Sequence, residues 1–313
     1  MSIKPGLRDC LWMAAGAAVL LVIILVALHF QKTQDPAAQL AFKAKRVELV
    51  EQMRVALASA SEAEKSAVLA TTDADSKAYA DQARAAAATV EQGRQEVGKL
   101  LEAGGTGNEK DVLAQFSQGF AEFQRIDNDL LSLAVQNTNL KAYSLAFGPA
   151  AEAIGEMDAA LGRLVAAHGA ASADDMKVVQ FADGARIAAL RLLALLPPHI
   201  AEESDAREDQ MEAVMAKEDQ AVRRDLQALA ALSGLSGNAD LATATTRYAR
   251  FAELRTQIIK LSRENTNVRS LTISLNQKRK VMMVCQEALV ALEQAIKAEP
   301  VAGQSDRTVV RPR

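Results

Sequence analysis

The sequence is poor in the residues that mark β-sheets, disulfide frameworks and nucleic-acid surfaces. Only 4% of its 313 residues are aromatic, and it contains 7 prolines and two cysteines. Few stretches alternate β-branched and polar residues with a period of two, so the sequence predicts no sheet. A formal charge of −3 argues against the concentrated basic surface that binds phosphate backbones. We therefore expect no nucleic-acid partner.

The two cysteines do not make a disulfide framework. Cys10 and Cys285 stand on opposite sides of a long hydrophobic segment, and so in different compartments if that segment spans a membrane. Cys285 has aliphatic neighbours in the sequence, which predicts a small buried apolar side chain and not a reactive thiol.

The long hydrophobic segment is Leu11–Phe30, which contains no charged residue over its 20 positions. A helix of that length crosses roughly 30 Å of bilayer hydrocarbon. The alternative is a cleaved signal peptide, whose apolar core would span about 7–15 residues and end at a small-x-small site. We expect an uncleaved signal-anchor, with a short cytoplasmic N-terminus at residues 1–10 and a linker at residues 31–37. Basic residues flank both sides, so charge alone leaves the orientation open.

What the sequence has in abundance is helix-forming material. Half of the residues are hydrophobic, and the Ala, Leu, Glu, Gln and Arg content is typical of long helices packed by aliphatic side chains. The predicted helices are Ala38–Ala70, Asp75–Ala103, Asn108–Phe147, Ala150–Ala167, Ala173–Leu196, Ile200–Leu232 and Ala239–Ala298. The glycines in residues 104–107 and 233–237 predict left-handed turns, followed by N-caps at Asn108 and Asn238. Gly148-Pro149 and Pro197-Pro198 predict kinks or helix ends.

One stretch of the chain occurs twice. Phe123–Phe147 reads FQRIDNDLLSLAVQNTNLKAYSLAF and Phe251–Leu275 reads FAELRTQIIKLSRENTNVRSLTISL, aligned without a gap at an offset of 251 − 123 = 128 residues. Both contain the tripeptide Asn-Thr-Asn, at positions 137–139 and 265–267. The duplication predicts two copies of one helical module, over residues 38–170 and 171–299, before a disordered tail at residues 300–313.

The apolar residues of each copy follow a heptad spacing that carries one asparagine. Steps of four and three define the lines Ile126, Leu130, Leu133, Asn137, Leu140, Ser144, Phe147 and Leu254, Ile258, Leu261, Asn265, Val268, Thr272, Leu275. A polar residue in such a line costs stability and fixes register. We expect Asn137 and Asn265 to align the helices, so that leucine at both positions would raise thermal stability.

The alternative for these tripeptides is a ligand contact or a signalling kink. The candidate register or signalling residues are Asn137, Thr138, Asn139, Asn265, Thr266 and Asn267. Buried polar residues more often specify packing than bind ligands, which favours the first interpretation.

No pattern predicts catalytic, cofactor or metal chemistry, and an enzyme is the least favoured class. The acidic residues Glu202, Asp205, Asp209 and Glu212 share a helix face and could gather a cation, but a solvated charged face is the favoured interpretation. The histidines His29, His168 and His199 have no partner at helical spacing, so haem and zinc are unsupported.

Two segments carry a family resemblance. LLSLAVQNTNLKAYSLAFGPA (130–150) and LSRENTNVRSLTISLNQKRKVMMVCQEALVALEQAI (261–296), after a membrane helix and alanine-rich hairpins, resemble the four-helix-bundle sensory domain of methyl-accepting chemotaxis proteins. The resemblance covers roughly residues 38–298. It implies an extracytoplasmic bundle on the inner membrane that senses a ligand or a partner and forms dimers.

The sequence also departs from that family. It contains no second apolar run of membrane length, no HAMP linker and no cytoplasmic coiled coil, so we expect signalling through a separate membrane protein. No arginine set matches the amino-acid site of some members, and no ligand residues are carried over.

The expected fold is therefore all-α: an N-terminal transmembrane helix followed by an elongated tandem antiparallel helical bundle of four-helix-bundle-like modules. The expected function is a membrane-anchored, periplasmic sensory or ligand-binding module, acting as a homodimer or with a partner membrane protein. The alternative is a structural or scaffold protein of the periplasm without a small-molecule ligand. Convergent polar side chains in a concave site would favour the sensor, and filled heptad layers would favour the scaffold.

Overall fold

The computed structural model describes residues 36–169 and 172–300, and these residues form helices and turns without a strand. The elements are α1 Pro36–Leu69, α2 Asp73–Gly104, α3 Gly107–Ala134, α4 Thr138–Leu145, the π-helical segment π1 Ala146–Ala150, α5 Ala151–His168, α6 Ala173–Ala201, α7 Asp205–Ala230, α8 Ala239–Glu264, α9 Thr266–Ile273, the π-helical segment π2 Ser274–Lys278 and α10 Arg279–Ala298. The prediction of an all-helical protein is confirmed for this part of the chain.

The described residues belong to two compact units, each assembled from separate segments. Of the described residues, unit 1 contains 36–61, 84–124 and 280–300, and unit 2 contains 62–83, 125–169 and 172–279. Helices α1, α2 and α3 each contribute to both units. The units therefore do not coincide with the predicted modules 38–170 and 171–299, because helices distant in sequence pack together.

The core of unit 1 is apolar and contains a row of three phenylalanines. The rings of Phe116 and Phe120 stack with centroids 5.5 Å apart, and those of Phe120 and Phe123 lie 5.6 Å apart. Cys285 is fully buried in the same core. The prediction that Cys285 serves as a small buried side chain is confirmed.

Unit 2 contains two apolar clusters. The larger one draws buried residues from α4, π1, α5, α6, α7 and α8. The smaller one joins the end of α1, the start of α2 and the end of α3, and it is rich in alanine: Ala67, Val68, Ala80, Ala83, Leu130, Leu131, Ala134. Small side chains let these three helices approach closely.

The turn before α8 has the chemistry that the sequence predicts. Gly237 is left-handed, with φ at 76°. The side-chain oxygen of Asn238 accepts hydrogen bonds from the backbone N–H groups of Asp240 and Leu241, at 2.9 and 3.0 Å. Asn238 is therefore the N-cap of α8, which satisfies two of its unpaired donors.

The turn between α2 and α3 differs from the prediction. None of its glycines has a positive φ, and α3 begins at Gly107, so Asn108 lies inside the helix. The N–H of Glu109 donates to the Thr106 hydroxyl at 3.2 Å, and the N–H of Thr106 donates to the Glu109 carboxylate at 2.9 Å. This reciprocal capping box, and not an asparagine cap, begins the helix.

Gly105 is required in this turn by contact and not by a left-handed backbone. A Cβ on Gly105 would lie 2.8 Å from both Cα and O of Leu101, whereas a Cβ on Gly107 would meet no atom within 4 Å. We expect Gly105→Ala to lower the free energy of unfolding by about 1–3 kcal/mol, and Gly107→Ala to be tolerated. Urea unfolding followed by circular dichroism measures both. Equal midpoints for the two variants would contradict the expectation.

The predicted end of α6 at Leu196 is wrong, because this helix continues through Pro197 and Pro198 to Ala201. Each proline lacks the N–H that would bond to the carbonyl four residues earlier, so the last turns go without two backbone bonds. By contrast, Gly148 has non-helical φ and ψ (−98° and −106°) inside π1, which confirms the predicted kink at Gly148-Pro149.

The two copies of the repeat break their helices at the same place. Asn137 separates α3 from α4 and Asn265 separates α8 from α9, each with φ at 51°. The π-helical segments π1 and π2 follow at equivalent positions, 128 residues apart. The predicted continuous helices Asn108–Phe147 and Ala239–Ala298 are therefore wrong at these two points.

Beyond each break the buried face differs from the predicted one. Phe147 and Leu275 are 66% and 57% exposed, although the heptad line predicts both to be inside. The buried positions are instead Ala142, Ala146 and Ala150 in the first copy and Ser270, Ser274 and Lys278 in the second. A left-handed residue interrupts the helical period, so a heptad count cannot be continued across it. The heptad prediction therefore holds as far as Asn137 and Asn265, which are both buried, and fails beyond them.

The predicted signal-anchor Leu11–Phe30 lies outside the described residues, as do residues 301–313 of the predicted tail. Helix α1 begins at Pro36, within the predicted linker. In the described part of the chain, no helix combines the length and the apolar character needed to cross a membrane.

Candidate functional site

The candidate site is the pair of Asn-Thr-Asn tripeptides in unit 2, here called the asparagine cluster: Asn137, Thr138, Asn139, Asn265, Thr266 and Asn267. Asn137 and Asn265 adopt the left-handed conformation, which asparagine tolerates better than other residues with a Cβ. Each thereby ends one helix and starts the next. The structure brings all six residues together in unit 2.

The two copies cap each other reciprocally. The N–H of Thr138 donates to the Thr266 hydroxyl at 3.2 Å, and the N–H of Thr266 donates to the Thr138 hydroxyl at 3.1 Å. The N–H of Asn139 donates to the Asn267 side-chain oxygen at 3.2 Å, and the reverse bond measures 3.1 Å. The unpaired donors at the start of α4 are thus satisfied by α9, and those of α9 by α4.

Side-chain amides complete the exchange between the copies. The Asn139 amide donates to the Asn265 oxygen at 2.8 Å, and the Asn267 amide donates to the Asn137 oxygen at 3.0 Å. Asn137 and Asn265 are only 1% and 7% exposed. Directional bonds in a buried place make the cluster sensitive to small displacements of either helix.

Two turns between helices anchor the cluster. The Asn137 amide donates to the Asp73 carboxylate at the start of α2, at 3.0 Å. On the other side, the Asn265 amide donates to the Glu202 carbonyl and the Asn139 amide to the Ile200 carbonyl, both at 2.7 Å. The Asn137 amide lowers the pKa of Asp73, with help from Lys141. The breaks are therefore tied to the α1–α2 and α6–α7 turns.

A second polar group, missed by the sequence reasoning, lies behind the α6–α7 turn. His199 Nδ1 lies 2.8 Å from the Ser262 hydroxyl, which donates to the His199 carbonyl at 3.0 Å, and His199 Nε2 lies 3.0 Å from Glu212 Oε1. His199 and Ser262 are 1% and 0% exposed. These bonds tie the end of α6 to α7 and α8. His199, Glu212 and Ser262 are distant in sequence, so no sequence motif predicts that they meet.

Arg263 forms ion pairs with three carboxylates around His199. It contacts Glu212 at 2.7 Å, Asp209 at 2.5 Å and Glu208 at 3.4 Å. Burial raises the pKa of Glu208, although His199 and Arg263 act against it. Burial also tends to raise the pKa of Glu212. Hydrogen bonds from Arg263 and His199 outweigh burial, so the pKa of Glu212 is lowered. The predicted acidic face is thus partly an ion-pair network.

The acidic row does not converge on a cation. Glu202 turns its carboxylate to the N–H groups of Glu203 and Ser204, at 3.1 and 3.0 Å, while Asp209 pairs with Arg263. Within residues 36–169 and 172–300, no group of three or more His, Cys, Asp or Glu side chains could hold a metal ion.

A pocket of about 310 Å³ borders the asparagine cluster. Its lining consists of Glu203, Asn265, Val268, Arg269, Thr272 and Ile273. The exposed residues among these are polar and of both charge signs, and Val268 and Ile273 are half-buried. This size and mixed lining suit a small molecule, and Asn265 links the pocket directly to the cluster.

Comparison with known proteins yields no match: no protein-family model, no curated protein and no solved structure corresponds to this chain. The resemblance to chemoreceptor sensory domains therefore stays a prediction from the residues alone.

Proposed function

We propose that this protein is a helical sensory or ligand-binding module, anchored in the inner membrane by Leu11–Phe30 with its helices outside the cytoplasm. The observation that carries the proposal is the asparagine cluster: two equivalent helix breaks, buried and bonded to each other. A protein that served only to hold helices in register would need neither the paired breaks nor the paired π-helical segments.

The cluster supplies a place where a small change can alter helix packing. The polar bonds at the breaks are directional, whereas the apolar contacts of the surrounding cores are not. Segments of π-helix inside α-helices frequently mark functional sites. A shift at α4 or α9 would therefore exchange one set of hydrogen bonds for another, which is the kind of two-state element that ligands bias.

The pocket beside Asn265 is the proposed point of entry for a ligand. A molecule seated against Arg269 and Glu203 would contact α9 and the α6–α7 turn, the two elements that the Asn265 side chain joins. A ligand shifts an equilibrium only as far as it prefers one state. Contact with both elements gives it that preference.

The scaffold interpretation remains the second candidate, on a specific observation. The cluster residues satisfy each other, as the residues of a purely packing layer also would. In that case the pocket is a surface groove without a ligand, and the breaks only set helix direction.

A thermal-shift screen of the full-length chain in detergent separates the two. The probes are small mono- and dicarboxylates, amino acids and simple amines. A ligand at 100 times its Kd adds about 2.7 kcal/mol of stability, which raises Tm by several degrees. We expect Arg269→Ala to abolish the shift and Arg250→Ala, at an exposed position of α8, to retain it. A screen without any stabilising probe, or a shift that survives Arg269→Ala, would favour the scaffold or another site.

The receiver of the signal is proposed to be another copy of this chain or a separate membrane protein, because a change in helix packing must be read by something in contact with it. Exchanging Leu11–Phe30 for an unrelated anchor tests the membrane segment. If crosslinked partners are unchanged after the exchange, recognition does not run through that segment.

A further inference from the structure

A second buried polar group in unit 2, here called the Glu64 cluster, consists of Glu64 on α1, Asp127 on α3, and Ser274 and Lys278 in π2. Glu64, Asp127 and Lys278 are 0%, 3% and 1% exposed. The Lys278 ammonium donates to Asp127 Oδ1. Among the described residues, neither oxygen of Glu64 has a hydrogen-bond partner. The ammonium thus bonds to one of the two buried carboxyl groups.

The surroundings decide which carboxyl keeps its proton. Burial raises the pKa of Glu64, and the charge of Asp127 adds to the rise. The Ser274 hydroxyl and the Lys278 ammonium act in the opposite direction. The charged groups that act on Glu64 are Lys65 on α1, Asp127 on α3 and Lys278 on π2, and the α2 residues of the adjoining apolar cluster are Ala80 and Ala83.

The cluster includes both ends of a π-helical segment. Ser274 and Lys278 are the first and last residues of π2, and such segments inside α-helices are rare and frequently mark functional sites. The equivalent residues in π1 are Ala146 and Ala150. Only the second copy thus places charged and hydroxyl groups at the π-helical segment, next to α9 and the asparagine cluster.

We propose that Glu64, Asp127 and Lys278 form a proton-operated switch, in which loss of the Glu64 proton to solvent draws the Lys278 ammonium from Asp127 toward Glu64 and shifts π2. The one bond broken is the O–H of Glu64, whose proton passes to solvent. The shift passes to α9, which begins at Thr266 in the asparagine cluster. The switch adds a pH input that does not depend on whether a small molecule binds.

The direction of the pH effect follows from the raised pKa of Glu64. A carboxyl that is harder to ionise in the folded state stabilises the fold at pH values below its ordinary pKa of 4.5. This contribution is lost as the pH rises through the pKa of the folded state. Within that window, each pH unit changes the ratio of the form with protonated Glu64 to the form with ionised Glu64 by about tenfold. We expect residues 266–280 to lose protection as pH rises.

Hydrogen exchange of the full-length chain, measured by mass spectrometry from pH 5 to 9 and corrected for intrinsic exchange, tests the switch. The wild type should lose protection in residues 266–280, and Glu64→Gln, which is permanently neutral, should show a flat profile. Glu62→Gln alters an exposed carboxyl two residues away and should behave as the wild type.

A flat wild-type profile in this segment overturns the proposal, and so does a pH dependence that survives in Glu64→Gln. If Glu64→Gln does not fold, the proposal is tested on the wild type alone, by comparing residues 266–280 with α5. Loss of protection confined to residues 266–280 supports the switch, whereas an equal loss across α5 indicates global unfolding and overturns it.

Discussion

Replacing Asn137 and Asn265 together with leucine is expected to lower the free energy of unfolding by about 4–10 kcal/mol. Each asparagine is left-handed, a conformation that costs an ordinary residue about 1–2 kcal/mol. Loss of each side chain also removes the oxygen that accepts from the amide of Asn139 or Asn267, at about 1–3 kcal/mol each. The measurement is urea unfolding of the full-length chain.

This expectation reverses the one drawn from heptad spacing, which predicts that leucine at both positions raises thermal stability. Heptad spacing treats Asn137 and Asn265 as polar residues in a continuous helix, where an apolar side chain packs better. The structure instead places each asparagine at a helix break, where its amide bonds to specific partners.

Two control variants separate the contribution of the left-handed backbone from that of the side-chain amides. Glycine at Asn137 and Asn265 keeps the left-handed conformation and removes only the amides, so about half of the loss should remain. Asn108→Leu changes an exposed helical asparagine and should alter stability by no more than about 0.5 kcal/mol. A double leucine variant as stable as the wild type would show that the breaks are not needed.

Lys278→Met is expected to lower the free energy of unfolding by about 3–5 kcal/mol. Methionine fills a similar volume, but the substitution leaves Asp127 charged and buried without its cation. The cost therefore comes from the unpaired carboxylate and not from lost packing. Circular dichroism during urea unfolding again measures it.

The matched tests for Lys278 follow from the same argument. Adding Asp127→Leu to Lys278→Met removes the stranded charge and should recover most of the loss, because a buried ion pair replaced as a whole by apolar groups is often neutral. Lys280→Met, at an exposed position, should change stability by no more than about 0.5 kcal/mol. A Lys278→Met variant as stable as Lys280→Met would contradict the buried ion pair.

Helix content and most helix ends follow from local chemistry, which explains why the sequence predicts them well. Asn238 caps α8 because its oxygen reaches N–H groups two and three residues ahead. The repeat also predicted that the two tripeptides are equivalent, because equal sequences fold alike. Where two local signals compete, as for Asn108 and the Thr106–Glu109 capping box, the prediction chose the wrong one.

The Glu64 cluster could not have been found in this way. Lys278 and Asp127 lie 151 residues apart, and nothing in either segment marks the other as its partner. Ser262 and His199 lie 63 residues apart and are equally unmarked. A buried charge needs a partner, and here each partner lies on another helix, so these pairs exist only once the helices have packed.

By itself, the sequence determined that the described chain is helical, where most of its turns fall, and that two tripeptides 128 residues apart are equivalent. These are properties of neighbouring residues, set by propensity, capping and periodicity. Only the tertiary structure decided that the tripeptides break their helices, which face is buried beyond each break, and which segments share a compact unit. The left-handed asparagines are held by bonds from the opposite copy and from two distant turns, and such bonds have no signature in local sequence.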